Sequence, residues 1–244
     1  MGETNSRSRV RAFAALPDWS GIWESTTRAQ HNLLSGRHPK GEAGLRSMLQ
    51  LVGHPPYNAE WEARYQQALQ NAPPSARTAS ARKTCSRAFP AIMESPFIFQ
   101  LVVLPEETLM VFETQQIRHI YTDGRPHPRD EDIWPTRLGD STGRWEGETL
   151  VVDTIALMRE PIDPRAPFAT LSERAHFTER LRRLDSDRLD DELVIEDPVA
   201  LAHPWRVTLH FHRVTGLDRL IVYDCAENDR NPVIDGKISI APTP

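Results

Sequence analysis

The chain of 244 residues contains only two cysteines, Cys85 and Cys225, and only three lysines, Lys40, Lys83 and Lys237. Two cysteines are too few for a disulfide scaffold or a four-ligand zinc site. No apolar run approaches the ~20 residues that a membrane-spanning helix needs. The formal net charge is −5, so the acidic balance speaks against nucleic acid as the main partner, which calls for a basic surface. Chemical motifs are sparse as well. There is no glycine-rich phosphate loop, no Gly-x-Ser-x-Gly elbow and no His-Glu-x-x-His, which argues against nucleotide cofactors, serine hydrolysis and zinc proteolysis. The apolar patch at 13–16 is too short for the core of a signal peptide, so a cytoplasmic protein with two free thiols is expected.

With so few lysines, positive charge rests on 26 arginines. Arginine pairs bidentately with carboxylates and stacks on rings, whereas lysine stays hydrated. Residues 1–16 are polar and Arg-rich and read as a loose arm. The remainder, 17–244, reads as one β-barrel domain with a helical insertion at about 42–71. Within that insertion a helix is expected over 42–52. A second follows Asn58 as its cap, with Glu60 and Glu62 at its positive end and Trp61, Tyr65 and Leu69 at helical spacing.

Strand signals dominate elsewhere. They fall at 19–25, 97–104, 108–114, 117–122, 143–146, 149–154, 173–184, 188–196, 205–214 and 219–225, parted by short turns. Gly147 supplies the positive φ of the tight turn between 146 and 149. In the run 205–212, Trp205, Val207, Leu209 and Phe211 share one face, opposite Arg206, Thr208, His210 and His212. The expected fold is mainly β, an antiparallel closed barrel with one or two accessory helices near the N-terminus. Parallel α/β folds fail because no helices separate the strands.

Gly21-x-Trp23 resembles the N-terminal signature of lipocalin-type barrels, in which the Trp closes one end and an arginine from a late strand stacks on it. The blocks at 117–128 (IRHIYTDGRPHP), 143–154 (GRWEGETLVVDT), 179–183 (ERLRR), 197–205 (DPVALAHPW) and 223–228 (YDCAEN) extend the likeness. Together they resemble a widespread bacterial family, with the match running over about residues 17–230. The resemblance implies a lipocalin-like (calycin-type) barrel and assigns no activity. This chain departs from the family's usual pattern at Asp140, commonly a histidine there, and in the loop 156–170.

The densest polar cluster is Arg118, His119, Tyr121, Asp123, Arg125 and His127. Strand alternation puts His119, Tyr121 and Asp123 on one face, opposite Arg118, Ile120 and Thr122. An imidazole, a phenol and a carboxylate on an inward face can move protons around a ligand. Glu113 is expected to oppose His119 across the hairpin and to share the catalytic role, although Asp123 also reads as a simple turn residue. Arg118, His127, His176 and Glu179 are the substrate-binding candidates; Glu179 with Arg118, Arg180 or Arg182 reads equally as a structural pair. His119, Asp123 and His127 form an iron-type donor set, but their spacing is no metal signature, so no metal and no cofactor is expected. His210 and His212 read as solvated or paired with carboxylates.

The first functional expectation is a cofactor-independent acid–base lyase or isomerase acting on a small, apolar, aromatic molecule inside the barrel. The second is a non-catalytic carrier of lipocalin type with an apolar lumen. The third is an interaction module that forms a homo-oligomer through the helices at 42–71. The expected partner is a small molecule, with no nucleic acid and no membrane.

Overall fold

Nine strands close into one barrel in chain order: β1 (Ile22–Ser25), β2 (Phe99–Val103), β3 (Glu107–Phe112), β4 (Ile117–Tyr121), β5 (Asp140–Glu146), β6 (Thr149–Ile155), β7 (His176–Arg183), β8 (Arg188–Glu196) and β9 (Trp205–Arg213). The computed structural model describes residues 12–26, 53–71, 88–93, 98–158 and 171–222, together with 233–234 and 237–238. Among the described residues no helix is long and apolar enough to cross a membrane.

Every neighbouring pair is antiparallel except β4 and β5, which run parallel through Ile120↔Ser141 and Tyr121↔Thr142. The wholly antiparallel barrel expected from the sequence is corrected at this seam, for a reason of parity. Directions that alternate strictly around a closed ring require an even number of strands. Nine strands therefore leave at least one parallel pair. The connection 122–139 carries the chain back along the barrel so that β5 starts in the direction of β4.

Side-chain alternation fills the lumen. On β9, Trp205, Val207, Leu209 and Phe211 are buried while Arg206, Thr208 and His210 are exposed, as the pattern predicts. Phe99 packs edge-on against Phe211 at 5.3 Å and lies tilted against Phe112 at 5.6 Å. Where the chain enters β1, the Trp23 indole N–H donates to the Trp19 carbonyl at 3.3 Å, and Trp19 meets Trp145 edge to face at 5.0 Å. The segment 88–93 buries Phe89, Ile92 and Met93 against the same core, with Phe89 edge-on to Phe177 at 5.3 Å.

Helix α1 (Ala59–Asn71) forms as expected: the Asn58 side-chain oxygen accepts from the Trp61 N–H at 2.9 Å, and Trp61 and Tyr65 are its buried face. Leu69, one turn further on, is exposed instead. Residues 219–222 are not a strand, against expectation; a short pair, β10 (Val233–Ile234) and β11 (Lys237–Ile238), follows. The helix expected over 42–52 and both cysteines lie outside the described residues.

Candidate functional site

Strand β4 decides where the polar groups go. Its alternation is real, but the inward face is Arg118 and Ile120, and His119 and Tyr121 point outward. The expectation that His119, Tyr121 and Asp123 line the lumen is thereby corrected. Ile117 and Ile120 sit on opposite faces, so the apolar pattern cannot choose between them. The choice is made by a partner far along the chain. Inside the barrel Arg118 donates from Nη1 to Glu179 Oε1 at 2.9 Å and from Nη2 to Glu179 Oε2. It also donates from Nη2 to Thr154 Oγ1 at 2.8 Å and from Nε to Ser141 Oγ at 3.3 Å. Its guanidinium lies 3.8 Å over the Phe89 ring. Exposure is 1% for the arginine side chain and 0% for the glutamate. A buried ion pair stands only if its geometry is good and its remaining protons are bonded, and here both conditions hold.

A second carboxylate shares that interior. Asp191 is fully buried beside Glu179, and among the described residues no protein donor reaches either of its oxygens. Burial first, and then the negative charge of Glu179, push its carboxyl well above the ordinary value. The neutral acid is the form that fits such a position.

Outside, the side chains of β3 and β4 form a ladder. His119 Nδ1 lies 2.8 Å from Glu107 Oε2, His119 stacks on Tyr121 at 6.1 Å, and Arg125 lies 4.3 Å over the Tyr121 ring. Arg125 grips Asp123 with contacts of 2.9 Å and 2.6 Å, and this hydrogen bonding holds the Asp123 carboxyl below its ordinary value. Asp123 thus behaves as the turn residue of the simpler reading. Glu113 does not oppose His119: the register sets Leu109 opposite His119, and Glu113 Oε1 instead accepts from the Ile98 N–H at 3.3 Å. The loop 113–116 lengthens the hairpin beyond a two-residue turn, moving the pairing along β3.

His119 and Tyr121 line a cleft of about 340 Å³ at the parallel seam. β4 and β5 touch through only two residue pairs, so the chain before those pairs splays open. Gln116, Ile117, His119 and Tyr121 form one wall, and residues 136–141 form the other, with Arg137, Leu138 and Asp140 among them. The second wall is held tightly. Thr136 N–H donates to the Ala156 carbonyl at 3.0 Å, and Gly139 has φ +73° at a point where a Cβ would stand 2.7 Å from the Ile155 carbonyl oxygen.

Asp140 belongs to a longer chain of charges on the outer face of β5, β6 and β7. His127 Nδ1 is 2.5 Å from Asp140 Oδ1, and its Nε2 is 2.8 Å from Asp153 Oδ1. His176 Nε2 is 2.6 Å from the other Asp153 oxygen, and its Nδ1 is 3.7 Å from Glu196. His127 thus bridges two carboxylates, one at each ring nitrogen. The two histidines taken as substrate contacts therefore meet on one aspartate. The His119, Asp123 and His127 donor set is dispersed over three separate pairings. His210 pairs with Asp190 and His212 with Glu24, each at 2.8 Å, in line with the sequence reading.

Sequence reasoning missed Glu107, Arg137 and Asp153 and gave Asp140 no chemical role. Asp153 stands at the outward position of an otherwise apolar run, a signal that alternation along 149–154 carries. Glu107 and Arg137 carry no such signal, because both depend on strand register. Comparison with family models, with curated proteins and with solved structures finds no match to this chain.

Proposed function

We propose that the protein is a cofactor-independent acid–base enzyme, a lyase or isomerase of small, apolar molecules with an aromatic body, working in the β4–β5 cleft. The observation that carries this reading is His119 on the cleft wall with Glu107 as its carboxylate partner. Glu107 holds Nδ1 as the N–H, which leaves Nε2 as the proton acceptor. Tyr121 offers a phenolic donor, and Arg137 on the opposite wall brings a cation for an oxyanion formed when a carbon proton is removed. Ile117 and Leu138 give the apolar contact. Such general-base help contributes about 10²–10⁴-fold in rate.

The same reading places the substrate outside the lumen, whose middle is taken up by the Arg118–Glu179 pair and by aromatic packing. That filling also weighs against the carrier alternative, which needs an apolar lumen with room for a ligand. Lipocalin-like kinship is supported by the Trp23↔Arg213 pairing of β1 and β9 beside Gly21.

Deuterium incorporation tests the activity across a whole class of compounds at once, because any carbon acid that the base attacks exchanges its proton with solvent. Small aryl ketones, aryl-acetic acids and enones are incubated with the protein in deuterated water and followed by proton NMR. Protein-dependent loss of a carbon-bound proton signal, abolished by His119→Ala, is the expected result. Tight binding of these compounds without exchange would establish a carrier and overturn the catalytic reading.

A further inference from the structure

A second cavity, of about 500 Å³, opens where β1, the start of β8 and the turn after β9 come together. It shares no lining residue with the β4–β5 cleft, so it stands independently of the activity proposed for that cleft. Its central cation is Arg213, the last residue of β9, which pairs in register with Trp23. The Arg213 side chain crosses Gly21 so closely that a Cβ there would sit 2.8 Å from Nε. Gly21 has φ +131°, so the backbone at this point both needs glycine and gives its vacant side to the guanidinium.

Arg213 is half-buried, yet among the described residues its guanidinium makes no hydrogen bond and no ion pair. Asp18 feels its charge only weakly, after the hydrogen bonds from Ser20 and the charge of Arg183. The planar Arg213 fork of donors lines the cavity without a protein acceptor among the described residues, and a carboxylate can pair with such a fork bidentately. Gln100 and Thr215 add further donors on the cavity wall, and Ile22, Val214 and Leu217 add apolar surface. Two carboxylates, Asp187 and Asp218, line it as well, with Arg219 as a second cation. Those aspartates repel a second negative charge on a ligand, and the balanced lining therefore favours a monoanion.

We propose that this cavity binds a small organic monocarboxylate, with the carboxylate on the Arg213 fork and an apolar body against Ile22, Val214 and Leu217. The test uses the full chain labelled with nitrogen-15 and titrated with sodium benzoate, with benzamide as the uncharged isostere and succinate as the dianion. Benzoate shifts the Arg213 Nε–H and the backbone amides of Gly21 and Gly216 saturably, and both comparison compounds bind roughly tenfold or more weakly. Arg213→Lys keeps the charge and loses the fork, and it weakens benzoate by a similar factor in a chain whose amide spectrum is otherwise unchanged. The proposal is overturned if wild-type protein shows no saturable shift at these three residues, a result that requires no variant to fold. Equal binding of benzamide, shifts confined to residues 116–141, or full affinity in folded Arg213→Lys also overturns it.

Discussion

Arg118 and Glu179 stand 61 positions apart in the chain and meet inside the barrel through two hydrogen bonds. Their pairing turns Arg118 inward, and because strand alternation is strict, it turns His119 and Tyr121 outward to the cleft. The candidate site is therefore positioned by a pair that forms no part of it.

Arg118→Met leaves Glu179 buried and unpaired. The expected loss is about 3–5 kcal/mol of stability, read by urea unfolding. Adding Glu179→Leu to that variant recovers most of the loss, since no lone charge remains. A double variant less stable than Arg118→Met would show that the pair contributes net stability of its own.

Asp191 makes stability depend on pH in a defined direction. The native carboxyl keeps its proton above the ordinary value of 3.8, so over that window the folded state binds more protons than the unfolded state. Stability accordingly falls as pH rises from about 4, and the fall ends once the native carboxyl has ionised. Asp191→Asn removes this slope, so its stability relative to the wild type rises between pH 4 and pH 8. Parallel stability–pH curves for the two proteins would contradict the assignment.

In the cleft, His119→Ala, Tyr121→Phe and Glu107→Gln are all outward substitutions that leave the core untouched. Each should keep the melting temperature close to that of the wild type. His119→Ala should lower deuterium incorporation by about 10²-fold or more, with Glu107→Gln losing less because it only positions the ring. Full exchange activity in folded His119→Ala would remove the base from the scheme.

His127 ties the loop 122–139 to β5 and β6 through Asp140 and Asp153. His127→Ala cuts both ties. These groups are partly exposed, so the expected stability loss is only about 1 kcal/mol. The larger effect is local: amide hydrogen exchange of residues 122–140 should speed up while β7 and β8 stay protected. Unchanged exchange in the loop would mean that its backbone bonds, such as Thr136 to Ala156 and Met158 to Thr136, suffice to hold it.

The period-2 pattern of the chain settles most of the strands without help. Residues 188–196 and the alternation from Trp205 to Phe211 are legible because each strand needs one face in the core, and apolar residues recur where that face falls. Asn58 marks the start of α1 by the same kind of local logic, a side chain satisfying an end the helix cannot. What lies beyond local logic is register and closure. The parallel seam arises from the parity of nine strands in a ring, a property of no single segment. The facing of β4 depends on Glu179 and the partner of His119 on where Leu109 falls, while the meeting of His127 with His176 depends on Asp153 lying between them. Sequence by itself determined the nine barrel strands in outline and the start of α1, because those preferences act over a few neighbours. Only the tertiary structure decided which polar groups share a cleft, because a contact across a barrel joins residues that the chain keeps far apart.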